Sequence, residues 1–392
     1  MVEDLPPDAR PPTQSAPKVT PHMLSPLTSP QSDPTPIFEL FRGSYSTELL
    51  TAAVVEFDLF RRLAERSMSF EELRSDLGLQ RRPTVVLITA LRAMGLLVAD
   101  SQDRLTLTPL ASEHLVPGCE FDVSGYIALA GNSHGVREMI ARLKTNRPAG
   151  ADDASVTTGS SPVEQSVTDD RTAPDGTAFI FREGTASAMD VEASARFLTM
   201  SLAGRAKNVA PVLSERVSLD GAKTLLDVGG GSGIYSIAWL RRHPTLRAIV
   251  WDRPEVLKVA SEMAQQYGVA DRLQCIPGNM FVDPVPACDV CLLSNILHDW
   301  DEPECRTLVQ RCAAALNPGG RLLIHDVLLN DDHSGPLPIA LYSAALFTLT
   351  EGRAYSAREF QSWLTEAGLR LEPIVPTLVH CAVIGGRLGD GS

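Results

Sequence analysis

The chain has 392 residues, 44% of them hydrophobic and 21% charged, with a formal net charge of −13. That length is too great for one small core, so more than one domain is expected; the acidic balance repels phosphate backbones and argues against nucleic acid as a partner. The seven scattered cysteines do not form a disulfide framework, no apolar run reaches bilayer length, and the acidic, Pro-rich start is not a secretory signal, so a cytoplasmic location without membrane contact is expected.

Residues 1–34 are rich in Pro, Ser and Thr and read as a disordered tail. A winged-helix-like α-helical unit is expected over 35–125. Ala53, Phe57, Phe60 and Leu63 recur at helical spacing and predict a helix over 48–66. Ser69 with Glu72 makes a capping box that opens a second helix. A third follows from Arg82, with Val85, Ile88 and Leu91 on one face, and ends at Gly95. Residues 96–100 and 104–108 then read as a hairpin. Such modules often bind DNA through the third helix. Here that helix has almost no polar face, so it reads as a buried helix or a subunit interface.

Residues 126–223 form a helical connector, interrupted at 146–177 by a polar insertion expected to be disordered. From residue 224 to 392 strands alternate with helices, which predicts an α/β doubly wound, Rossmann-like sheet. The expected strands are 224–228, 248–251, 273–276, 290–294, 321–327 and 379–385. Cys288 and Cys291 form a CxxC inside one of them, but no second pair follows at zinc spacing, so a metal role is not expected.

The first strand runs into Gly229-Gly230-Gly231-Ser232-Gly233 and then a helix. Glycines at such a turn let a ligand approach the backbone, and the helix N-terminus offers free N–H groups. Dinucleotide sites use GxGxxG. Here Gly229, Gly231 and Gly233 are spaced by two, with Asp227 before them and Asp252 ending the next strand. An acid at both positions fits S-adenosylmethionine better than NAD, with Asp252 accepting from the ribose hydroxyls. Asp252 could instead cap the helix beginning at Pro254.

Past a later strand comes Ser294-Asn295-Ile296-Leu297-His298-Asp299-Trp300-Asp301, on the edge where open α/β sheets bind ligands. Methyl transfer to a phenol or enol needs its proton removed, and histidine suits that task at neutral pH. Asp326, ending the adjacent strand, can fix the tautomer of His298. The competing reading of His298 is a capping or buried structural histidine.

These motifs resemble the plant caffeate-type and bacterial small-molecule O-methyltransferases, including acetylserotonin and hydroxyneurosporene methyltransferases. The likeness covers about residues 36–386 outside the insertion. Leu226–Gly233, Trp251–Pro254, Gly278–Phe281, Leu297–Trp300, Asn317–Arg321 and Gly352–Ser356 carry it. The resemblance implies a winged-helix-like domain that builds a homodimer, and a class I methyltransferase domain. It implies that the Gly229 loop and Asp252 hold S-adenosylmethionine, that Met280, Phe281 and Trp300 pack around the adenine, and that Ser294 belongs to the same cofactor set. Phe197 and Met200 would line the acceptor pocket. His298 would be the general base for a hydroxylated small molecule, with no metal needed.

Three positions depart from the pattern. Asn279 stands where an aspartate usually meets the adenine amino group, Asp326 where plant members have glutamate, and Ala354 where a second acid faces the histidine. The last leaves Asp326 alone, or the nearby Glu351, to partner the base. Two alternatives stay open, the first of them favoured by Ala354. One is the same fold turned to C-methylation or to cofactor-assisted hydroxylation or decarboxylation. The other is a non-catalytic winged-helix sensor of S-adenosylmethionine.

Overall fold

The structure, a computed structural model, describes residues 27–147, 189 and 191–389. Most of the expected tail (1–26) and most of the expected insertion (148–177) lie outside the described residues. No helix among the described residues is long and apolar enough to cross a membrane.

The N-terminal unit holds α1 (Thr35–Arg42), α2 (Ser46–Val55), α3 (Leu59–Glu65), α4 (Phe70–Leu77), α5 (Arg81–Ala93), β1 (Leu97–Ala99), β2 (Leu105–Leu107), α6 (Pro109–His114), α7 (Ser124–Ile127) and α8 (His134–Thr145). The helix expected over 48–66 is two helices. Asp58 adopts a left-handed φ of 45° between them, and Arg61 bonds back to its carboxylate. Apolar spacing carries on across that break, so periodicity alone conceals it. The capping box at Ser69 is present, with Glu72 N–H donating to Ser69 Oγ and Ser69 N–H to Glu72 Oε2. The hairpin is antiparallel, with Val98 opposite Thr106.

Every residue of α5 from Arg82 to Leu91 is buried. Its side chains share a core with Leu341, Ala344 and Phe347 of α13 (Leu337–Leu349). Each fully buried leucine contributes about 1.5–3 kcal/mol. Of the two readings of this helix, the buried one holds. The chain covers the apolar face of α5 itself, which leaves it neither for a partner subunit nor for a DNA groove.

The long helix α9 (Glu192–Arg216) leads into the α/β part. That part runs β3 (Thr224–Val228), α10 (Ile234–Arg242), β4 (Arg247–Asp252), α11 (Pro254–Gln266), β5 (Leu273–Pro277), β6 (Cys288–Ser294), α12 (Glu302–Ala314), β7 (Leu316–Leu329) and α13, then β8 (Tyr355–Ser356), α14 (Ala357–Glu366), β9 (Arg370–Leu371), β10 (Val375–Pro376) and β11 (Cys381–Arg387). The strand order is β10-β11-β7-β6-β3-β4-β5. Strands β3 to β7 pair in parallel, and β11 joins β7 antiparallel. One face packs under α9, α10 and α11 through Leu213, Ile237 and Val259. The other packs under α12 and α14 through Leu308, Phe360 and Trp363. The six sequence-derived strands are all present. The short pieces β8, β9 and β10 were not expected, being only two residues each. Cys288 and Cys291 are buried free thiols of β6, where bonds with Cys288 and Cys312 keep the Cys291 thiol protonated.

The chain order reverses between β3 and β6. In doubly wound sheets the crevice at such a switch point, beyond the carboxyl ends of the strands, is where ligands bind. Val228, Asp252, Ser294 and Asp326 all stand at or near those ends.

Candidate active site

The turn after β3 is built on positive φ angles of 61°, 58° and 71° at Gly229, Gly231 and Gly233, a region that costs a side-chain-bearing residue. Gly230 is needed for a different reason. A Cβ there would fall 2.7 Å from Cγ of Asp227, whose carboxylate lies directly beneath the loop. Asp227 is buried. Ser236 Oγ donates to its Oδ2 at 2.8 Å, and its Oδ1 has no partner among the described residues. Burial, with the Asp252 carboxylate nearby, pushes its pKa up to about 7.

Asp252 does more than end a strand. Its Oδ2 accepts from Gly231 N–H at 2.9 Å and its Oδ1 from Arg253 N–H at 2.7 Å, so it ties the glycine turn to the next strand. Each oxygen keeps a lone pair for a hydroxyl donor. A half-buried glycine cradle, an orphaned buried acceptor and a half-buried carboxylate together suit a ligand carrying both a cationic amine and a diol. S-adenosylmethionine has both.

Further along this edge, the rings of Phe281 and Trp300 meet edge to face with centroids 4.6 Å apart. Arg311 Nε donates to Met280 O at 3.0 Å and fixes that segment. Asn279 does not present an unoccupied carbonyl. Its Oδ1 already accepts from Phe281 N–H at 2.9 Å, which leaves one lone pair for an adenine amine. Ser294 stands at the expected edge, but its hydroxyl faces inward. It bonds His325 Nδ1 at 2.9 Å and accepts from Asn295 Nδ2 at 3.0 Å.

His298 lies in a short 3-10 turn, Leu297–Asp299. Its Nδ1–H donates to Asp326 Oδ1 at 2.6 Å. That fixes the tautomer and leaves Nε2 as the acceptor, with Asp299 Oδ1 3.7 Å away. Asp326 Oδ1 also accepts from Val327 N–H at 2.8 Å, while its buried Oδ2 has no described partner. Burial alone lowers the pKa of His298; Asp326 and Asp299 outweigh it, and the net shift is upward. Burial also raises Asp299, to about 6, against the pull of His298.

Ala354 is fully buried, and its N–H bonds Ser343 Oγ at 3.1 Å. The second carboxylate at the ring is Asp299, from the turn itself. Gly352–Tyr355 acts as a support: a Cβ on Gly352 would fall 2.1 Å from His298 O, and Tyr355 Oη donates to Trp300 O at 2.6 Å.

His325, within β7, is fully buried and bonded at both ring nitrogens. Thr377 Oγ1 donates to Cys381 O at 3.0 Å, so it accepts from His325 Nε2–H at 3.1 Å, and Nδ1 accepts from Ser294. Burial holds its pKa down at about 3.

Phe197 is half-buried and Met200 is 38% exposed, both on the N-terminal half of α9. The same helix brings in a residue that the sequence reading missed, Arg205, which donates to Asn295 Oδ1 at 2.7 Å. Arg42 was missed as well; its guanidinium lies 4.3 Å over the ring of Tyr342, which in turn stands edge-on to His298 at 5.9 Å. The available signal for Arg205 was a charge set among the small residues Ala203, Gly204 and Ala206, shared with Lys207 two positions on. Arg42, at the end of an exposed amphipathic helix, gave none.

A family model described as an O-methyltransferase domain matches residues 180–370. The chain is 34% identical to the 3-hydroxy-5-methyl-1-naphthoate 3-O-methyltransferase of Streptomyces sahachiroi, over 86% of this chain and 89% of that one. It is 29% identical to the tetracenomycin polyketide synthesis 8-O-methyl transferase of Streptomyces glaucescens, over 86% and 91%. Among solved structures it is similar to an O-methyltransferase family 2 protein from Planctomyces limnophilus in complex with apigenin, with a TM-score of 0.78 and 44% identity over 92% of this chain and 98% of that one.

Proposed function

The chain belongs to the O-methyltransferase family whose methyl donor is S-adenosylmethionine, and on that premise we propose that it methylates a hydroxyl of an aromatic or polyketide-type small molecule with His298 as general base. The observation that carries this reading is the 2.6 Å bond from His298 Nδ1 to Asp326, which leaves Nε2 bare at the ligand edge of the sheet. The relatives named for naphthoate and tetracenomycin chemistry, and the structure with apigenin, support a hydroxylated polycyclic acceptor.

When bound, the cofactor supplies a sulfonium methyl open to in-line displacement. The residues of this chain do the rest. The Gly229–Gly233 turn would seat the methionine end, with Asp227 Oδ1 beneath it. Asp252 would hold the ribose, and Met280, Phe281 and Trp300 would enclose the adenine. His298 Nε2 takes the acceptor proton as the oxygen gains its methyl, and Asp326 stabilises the imidazolium. Asp299, close to Nε2, adds to that stabilisation and stands in for the acid that Ala354 lacks. Most of the rate then comes from holding the two reactants in line.

We place the subunit interface of a homodimer on α1 and the α7 region. There Leu40, Phe41, Tyr126 and Leu129 are all more than three-quarters exposed in the single chain. The sensor alternative gains nothing from the structure, because α5 has no face left for DNA. The test of the main reading is stoichiometric. Incubation with S-adenosylmethionine and a panel of polyhydroxylated aromatics should yield one S-adenosylhomocysteine per O-methyl product. A product without S-adenosylhomocysteine would overturn it.

A further inference from the structure

Arginines buried in this chain are generally well matched. Arg82 donates to Asn146 Oδ1 and O at 2.8 and 2.9 Å and to the carbonyls of Thr350 and Gly352 at 3.2 and 3.3 Å. Arg353 meets Glu302 at 2.9 Å and Glu359 at 2.6 Å. Two arginines around Tyr342, Arg42 buried and Arg205 half-buried, break the pattern. Arg42 is 3% exposed, and its one described hydrogen bond is a 3.3 Å contact to Val379 O. Arg205 spends Nη1 on Asn295 and Nη2 on the thiol of Cys381 at 3.0 Å, a weak acceptor, and its Nε is buried with no partner among the described residues.

One carboxylate among their described neighbours, Asp326, acts on both charges, and no described hydrogen bond joins it to either. The guanidinium groups are close enough to repel each other. Glu39, one turn back on α1, is turned to His380 at 2.6 Å. Burial pushes the Tyr342 phenol up to about 12 and raises the Cys381 thiol, so both stay neutral. Asp326 is the nearby carboxylate, and its bonded oxygen belongs to His298. A buried and a half-buried cation that share a single carboxylate with His298 are short of counter-charge, which is costly. The side-on edge of Arg205, Nε with Nη2, is the fork that a carboxylate takes with two bonds.

We propose that Arg42 and Arg205 form a carboxylate-binding pair on the acceptor side of His298, so that the hydroxylated acceptor also carries a carboxylate. Arg205 is thus a specificity residue, and the anion it holds orients the acceptor hydroxyl toward Nε2. The proposal rests on the acceptor reading above, and the experiment separates the two.

The probes are matched pairs that differ in charge alone: 3-hydroxy-2-naphthoate with 3-hydroxy-2-naphthamide, and 3-hydroxybenzoate with 3-hydroxybenzamide. Binding is measured by calorimetry on the full chain loaded with S-adenosylhomocysteine, for wild type, R42Q, R205Q and R205K. At least one acid should bind tenfold or more tightly than its amide, the strength of a charge-assisted fork. The acid-to-amide ratio should fall about tenfold in R42Q and in R205Q, and be partly kept in R205K. R42Q lies on a separate helix, so the test survives a misfolded R205Q. If no acid outbinds its amide, the proposal is overturned; methylation of the amides would then leave the O-methyltransfer reading standing with a neutral acceptor. Acid-selective binding without any S-adenosylhomocysteine formed from S-adenosylmethionine would keep the anion site and sink the acceptor reading. If R205Q weakens S-adenosylhomocysteine itself tenfold while the acid-to-amide ratio holds, the carboxylate is the cofactor's, and the proposal falls.

Discussion

The ring of His298 feels two carboxylates, one at each nitrogen, and both hold its proton affinity above that of a free imidazole. A base must be neutral to act, so turnover should fall as pH drops through a value above 6.5. Removing the Asp326 charge in D326N should move that limb to lower pH and also lower the plateau, because tautomer control is lost. H298A should cost about 10²–10⁴-fold in turnover with little change in cofactor affinity. A pH–rate profile of the three proteins checks both; a limb that stays put in D326N would detach Asp326 from the base. Asp227 makes a stability prediction instead. Its folded pKa of about 7 lies above its unfolded value of 3.8. Its stabilising contribution is therefore complete below 3.8 and lost as pH rises through about 7. Between pH 5.5 and 8.5 the cofactor-free protein should lose about 2 kcal/mol from this group. D227N should not show that loss in thermal melts. Asp227, Asp252, His298 and Asp326 stood out in the sequence because each lies near or just past the carboxyl end of an apolar strand. Arg42 and Arg205 did not, because their role depends on which groups surround them in space.

At the scale of elements, the Gly352–Tyr355 segment shows what a motif can hide. In the sequence it registers mainly as the lack of an acid at Ala354. In the fold it is the bed on which the His298 turn lies. G352A should force the 298–300 backbone outward and cut turnover at least tenfold, since small misplacement of a base is expensive; A354G, with the turn untouched, should do little. Equal losses in both would place the segment's role elsewhere. Strands and helices of the α/β part were readable because buried parallel strands appear as continuous apolar runs. The break at Asp58 was not, because a left-handed residue leaves the apolar spacing intact on both sides. Nor could the apolar character of α5 reveal what covers it. The answer, α13, lies some 250 residues further along the chain.

At the scale of the molecule, that cover moves the expected interface. A homodimer should show twice the 42.3 kDa chain mass in light scattering. The double substitution F41D/Y126D, at side chains both 79% exposed, should shift it toward the single-chain mass. A dimer that persists in this variant would return the interface to some other face. Arg42 neighbours Phe41 on α1, so the same variant should also weaken the acceptor side of the site.

His298 and Trp300 are two residues apart on one short turn, pinned from below by Tyr355. In the proposed reading the histidine answers to the acceptor and the tryptophan to the donor. The consequence is one of sequence in time. On those roles a donor seated against Trp300 would bear on the turn that carries the base, so the two reactants should load in order, donor first. An acceptor arriving early would meet no methyl to receive, and leave unchanged.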